Sequence, residues 1–170
     1  MIRRQLARPW PARTVNRRFE PLICCLNEPG PFADEARRRG VEVAALGKRG
    51  RLDLRVLPSL TRWLREHRVD VVHTHLWGGN FWGRLAALRA AVPGRVATEH
   101  NLDVWKRPPH FLADRWLARR TSRLLAVSEA VREFYESHDV GRGRWRVSSD
   151  RVHRDVVPFP ARRASDLDAR

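Results

Sequence analysis

Three short apolar runs, each breaking off into polar and titratable residues, constrain the fold of this chain more than any other feature. Val69-Asp70-Val71-Val72 leads into His73-Thr74-His75-Leu76-Trp77, Arg95-Val96-Ala97-Thr98 into Glu99-His100-Asn101, and Leu124-Leu125-Ala126-Val127 into Ser128-Glu129. Short runs rich in Val, Leu and Ala, bounded this way, read as strands buried in a sheet. Between them lie amphipathic segments at 81–91 and from 108 or 109 to about 120. The runs recur about 30 residues apart, the length of one strand–helix–strand unit. Parallel strands joined by right-handed crossovers all end on one edge of their sheet. His73, His75, Glu99, His100 and Ser128 are therefore expected along one rim, where open α/β sheets bind their ligands.

The same alternation continues on either side. Residues 21–26 and 41–46 read as strands, with Asn27-Glu28-Pro29-Gly30-Pro31 as a loop, a helix over 32–39 stopped by Gly40, and Gly47-Lys48-Arg49-Gly50 as a turn. Leu54, Leu57, Leu60 and Leu64 recur at helical spacing as far as His67, with Asp53 as N-cap. Pro58 requires that helix to kink or to begin near Ser59. Ser128 caps a last helix reaching about residue 137. Gly78-Gly79-Asn80-Phe81-Trp82-Gly83 reads as a lead-in to a helix whose free amides suit an anion, or as a site of close packing. The series predicts an α/β fold, a single domain with a parallel sheet and helices on both faces.

Composition narrows the class. A 42% hydrophobic content excludes a wholly disordered chain, and no apolar run approaches the roughly 20 residues of a membrane span. Cys24 and Cys25 are adjacent in a strand, where they point to opposite faces and are poorly placed to bridge. They read as thiols of a reducing compartment, and the expected location is the cytoplasm, with peripheral contact at the inner membrane face. The net charge of +15 points to an anionic partner. Its excess is nearly all arginine, with lysine only at Lys48 and Lys106, and is scattered over every segment. Codon bias is a sufficient explanation, and no basic stripe interleaved with aromatics is present, so nucleic acid ranks below an anionic membrane surface or a phosphorylated ligand.

The ordered combination Val69-Asp70-Val71-Val72-His73-Thr74-His75, Thr98-Glu99-His100-Asn101 and Ala126-Val127-Ser128-Glu129-Ala130-Val131-Arg132 resembles the N-terminal domain of family 4 glycosyltransferases of the GT-B fold. The Asn27-Glu28-Pro29-Gly30 and Gly47-Lys48-Arg49-Gly50 loops are similar to that domain too. The resemblance implies a Rossmann-like domain over 18–140 that binds a sugar acceptor, facing a second domain that binds a nucleotide-sugar. Residues 1–17 depart from it as an irregular basic segment without the expected first strand. Residues 141–170 read as a disordered, Pro- and Arg-rich tail, although Trp145-Arg146-Val147 begins a strand pattern. A truncated or frameshifted fragment, inactive without a donor domain, is the expectation.

By the resemblance, His100 is the cleft histidine that hydrogen-bonds the transferring sugar, with Glu99 and Asn101 flanking it. His75, Trp77 and Asn80 line the acceptor side, and Ser128 lies near the interdomain hinge. No metal and no cofactor are implied, a nucleotide-sugar being the co-substrate of the complete protein. The residues also carry plainer readings. His73 reads as a hydrogen-bonded structural histidine, Glu99 as a surface partner for an arginine, and Trp63, Trp82, Trp105 and Trp116 as packing. Two other classes remain: a metal-dependent hydrolase using His73, His75, Glu99 and His100, and a non-catalytic basic module at an anionic membrane surface.

Overall fold

A computed structural model describes residues 2–3, 19–50 and 52–148. Seven strands form one sheet in the order β3-β2-β1-β4-β5-β6-β7. They are β1 (Ile2–Arg3), β2 (Glu20–Cys25), β3 (Glu42–Ala45), β4 (Val71–His75), β5 (Gly94–Glu99), β6 (Arg123–Ala126) and β7 (Trp145–Val147). The helices are α1 (Ala33–Arg38), α2 (Val56–Glu66), α3 (Leu76–Arg89), α4 (Pro108–Ala118) and α5 (Glu129–Ser137). All neighbouring pairs run parallel except those made by β1, which is antiparallel to both β2 and β4. The result is the expected α/β domain, a parallel sheet flanked by helices.

Strand alternation divides the buried side chains. Val72 packs with Leu22, Leu60, Leu64, Ala86 and Ala87, joining α2 and α3 to the sheet. Ala97, Leu124 and Ala126 pack with Phe111, Val131, Tyr135 and Trp145, joining α4 and α5 to it. Cys24 and Cys25 are both free, and burial together with its neighbour pushes the Cys24 thiol up to about 12.

Five local expectations change. The N-terminal segment shows no strand pattern, yet Ile2–Arg3 pairs between β2 and β4. Two residues are too few to carry an alternating pattern, and the pairing uses backbone groups that every residue has. The helix over Pro58 neither kinks nor waits for Ser59. It starts at Val56, placing Pro58 in the first turn, where its missing N–H has no intrahelical partner to lose. Asp53 is not its N-cap, which is Arg55; the Asp53 carboxylate instead accepts from the backbone N–H groups of Arg49 and Arg55 at 2.9 and 3.2 Å.

Helix α3 begins directly after His75, so Gly78, Gly79 and Asn80 belong to its first turns and not to a loop. The glycines cost helix propensity, roughly 1 kcal/mol each, which burial of this helix offsets. Gly83 shows the packing reason: a Cβ there would stand 2.5 Å from Thr74 Cγ2 on β4. The sheet also continues beyond Val140, because Trp145–Val147 pairs with β6 and buries Trp145. The tail over 149–170 lies outside the described residues.

Candidate functional site

The rim is built by register. His75 stands opposite Thr98, and Thr98 opposite Leu125, so β4, β5 and β6 end together. His75 leaves its strand extended, at φ −131° and ψ 145°, and forms the N-cap of α3 without a side-chain cap bond. Leu76 then turns the chain at φ 62°, a left-handed conformation costly for a leucine. At this junction His75 Nδ1 lies 3.0 Å from His100 Nε2, so one ring donates and the other accepts. The His73 and His75 rings are 4.3 Å apart, and His73 Nε2 is 2.7 Å from Thr98 Oγ1. His73 is therefore hydrogen-bonded within the sheet.

Glu99 and Asn80 lie beneath the rim. Alternation along β5 turns Glu99 away from Thr98, and the residue is 3% exposed. Its neighbours are Lys106, Asp114 and Arg84, and burial pushes its carboxyl up to about 6 against the pull of Lys106. Glu99 is thus no surface partner for an arginine. Asn80 is wholly buried, and its Nδ2 donates to the Thr98 carbonyl at 2.9 Å. Ser128 caps α5, its Oγ accepting from the Val131 N–H at 3.3 Å, and Asn101 is exposed.

Under the loop joining β5 to α4 lies a buried polar network. Lys106 Nζ donates to Asp114 Oδ2 at 2.9 Å and to Tyr135 Oη at 2.8 Å. Tyr135 donates to Asp103 Oδ2 at 2.8 Å, and Arg84 reaches Asp114 Oδ1 at 3.4 Å. Lys106 and Arg84 balance Asp103 and Asp114, which leaves Glu99 as the surplus carboxyl of the group. Burial, then Glu99, then the bond to Asp103 hold the Tyr135 hydroxyl firmly protonated.

Two residues beyond His75, Trp77 lines a cavity of about 380 Å³ together with Lys48, Gly78, Trp82 and Trp105. The Trp77 and Trp105 rings meet edge to face at 5.2 Å, and both touch His110. His110 is itself fixed, its Nδ1 accepting from the Arg107 N–H at 3.0 Å. Trp77, read from the sequence as an acceptor-side residue, and Trp105, read as packing, line the same wall. Trp82 is buried, Trp63 stacks on His67, and Trp116 lies under the Arg120 guanidinium.

The hydrolase reading finds no ligand set. Among the described residues no three His, Cys, Asp or Glu are grouped to hold a metal ion. His73 is engaged by Thr98, and Glu99 lies on the opposite side of its strand. The structure adds Lys48, Lys106, Asp103, Asp114, Arg84 and Tyr135 to the neighbourhood. A signal for the lysines was present: in a chain that uses arginine almost throughout, both lysines stand here.

Residues 12–149 match the family described as Glycosyltransferase Family 4. The UDP-Gal:alpha-D-GlcNAc-diphosphoundecaprenol alpha-1,3-galactosyltransferase of Escherichia coli is 32% identical over 128 residues, covering 69% of this chain. That stretch is 33% of the relative, so the chain spans about a third of the length of the curated relative it matches.

Proposed function

The chain belongs to glycosyltransferase family 4, and from that premise we propose that it is the acceptor-binding half of a GT-B hexosyltransferase whose acceptor is a saccharide on a lipid diphosphate. The observation that carries this reading is the indole-walled cavity holding Lys48, whose Trp77 lies two residues beyond His75 of the His75–His100 pair. Indole faces suit a sugar ring or an isoprenoid chain, and a lysine ammonium suits a phosphate. The uncapped N-terminus of α3, which begins at Leu76 and includes the lining residue Gly78, adds backbone N–H groups to the same end. The acceptor in the name of the Escherichia coli relative, a GlcNAc-diphosphoundecaprenol, has this combination of sugar, diphosphate and chain.

In this reading His100 hydrogen-bonds the sugar in transfer and His75 fixes its ring. Asn101 and Trp77 contact the acceptor, while Glu99, Asn80 and Ser128 act from below by holding the strand ends. The donor is a nucleotide-sugar bound by a second domain, so transfer requires that domain. Catalysis is then the task of orienting two substrates and stabilising the departing nucleotide diphosphate. A lipid-borne acceptor also brings the site to a cytoplasmic membrane face. The exposed Leu112 and Trp116, one helical turn apart on α4 with Arg120 beside them, fit an anionic bilayer surface.

A water-soluble GlcNAc-diphosphoryl-alkyl analogue tests the site without a donor domain. It is expected to quench tryptophan fluorescence of the chain, and Lys48→Ala and Trp105→Ala are each expected to weaken its binding about tenfold. No saturable quenching by the analogue overturns the acceptor reading. With a donor domain supplied, His100→Ala is expected to lower transfer by about 100-fold, and an unchanged rate removes His100 from the site.

A further inference from the structure

The loop from His100 to Arg107 carries a site residue near each end, yet it is held in an unusual way. Its only buried residues are Asp103 and Lys106; the other six are exposed, among them Leu102 and Val104. The loop is thus anchored by two buried charges, and the half-exposed Trp105 ring that meets Trp77 and His110 is not itself buried. Buried ion pairs add little net stability compared with apolar packing of the same volume, because desolvation offsets their attraction. What they supply is a defined geometry, since each partner is satisfied in only one arrangement.

The bonds lead from the core to the cavity wall. Tyr135 on α5 and Lys106 both reach Asp103 Oδ2, at 2.8 and 3.1 Å. The other oxygen of Asp103 accepts from the Trp105 indole N–H at 3.3 Å. Lys106 is in turn held by Asp114 on α4, and Asp114 by Arg84 on α3. Three helices thereby set the position of one carboxylate, and that carboxylate sets the indole.

We propose that Tyr135 and Lys106 are positioning residues of the acceptor site, acting through Asp103 to hold the β5–α4 loop so that His100 and Trp105 face one cleft. The proposal rests on the acceptor reading above for what the cleft binds, but the placement of Trp105 can be measured without it. Tyr135→Phe removes one hydroxyl and keeps the ring that packs in the core, and Asp103→Asn keeps the shape of the anchor.

The experiment uses the full chain and two readouts beside thermal unfolding. The first is the affinity for the GlcNAc-diphosphoryl-alkyl analogue by fluorescence quenching. The second is the accessibility of Trp105 to acrylamide, taken as the difference between each protein and its Trp105→Phe derivative. Tyr135→Phe is expected to weaken analogue binding about tenfold and to raise Trp105 accessibility, with Tm shifted by only a few degrees. Unchanged affinity and unchanged Trp105 accessibility in a folded Tyr135→Phe protein overturn the proposal. If that variant does not fold, Asp103→Asn decides by the same two readouts. If the parent does not bind the analogue, the acceptor reading fails, and Trp105 accessibility alone then upholds or overturns the positioning role.

Discussion

At the scale of single residues, Glu99 shows how the network reaches the solution properties of the protein. Its carboxyl has a raised pKa of about 6 in the fold, against 4.5 ordinarily. The folded chain therefore binds a proton more readily than the unfolded chain between these values. Stability from this group is fully present below about pH 4.5 and is lost as pH rises through 6, a change of about 2 kcal/mol. Glu99→Gln is expected to remove that slope, making the protein more stable at pH 8 by up to about 2 kcal/mol and little changed at pH 4. Urea unfolding at both pH values checks this, and equal slopes for parent and variant would sink it. Glu99 was legible as a residue at a strand end. Its direction was not, because the residues that desolvate it come from α3, α4 and the loop between β5 and α4.

At the scale of elements, the junctions of α3 are the most informative. Its approach to β4 depends on Gly83, and Thr74 has no freedom to withdraw, since its hydroxyl donates to the Val96 carbonyl at 3.2 Å. Gly83→Ala is expected to cost roughly 1–3 kcal/mol through this overlap. The opposite change applies at the other end of the helix, where the exposed Ala91 sits at φ 58°. Ala91→Gly is expected to stabilise by roughly 0.5–1 kcal/mol, the relief of left-handed strain exceeding the entropy glycine adds to the unfolded chain. Chemical denaturation of the two variants should give shifts of opposite sign. The start of α3 illustrates what periodicity misses. Two glycines in a row look like a loop, and only the burial of the rest of α3, at Asn80, Trp82, Ala86 and Ala87, makes a helix there the better state. The Ser128 cap, by contrast, was legible because a capping hydroxyl acts within three residues.

At the scale of the molecule, charge and apolar exposure make a joint prediction. With a net charge of +15 and Leu112 and Trp116 exposed at 66% and 43%, the chain is expected to sediment with anionic liposomes at low salt and to release at about 0.5 M salt. Leu112→Ala combined with Trp116→Ala should weaken binding that remains at intermediate salt. No binding at low salt would leave the arginines as a product of composition. No helix among the described residues is long and apolar enough to cross a membrane. The strands ending at His75, at Glu99 and, just before the Ser128 cap, at Ala126, their parallel order and their common rim were legible in the sequence alone. Apolar periodicity, spacing and caps are local properties, and right-handed crossovers convert them into a shared edge. Tertiary structure alone decided that His75 meets His100, that Glu99 turns inward, and that Lys48 joins two indoles. It also decided that Lys106, Tyr135 and Asp103 anchor a loop that buries no apolar side chain. The His75–His100, Lys106–Tyr135 and Asp103–Tyr135 contacts join residues 25, 29 and 32 positions apart whose partners are chosen by packing, and no local pattern in the chain encodes which buried charge will find which.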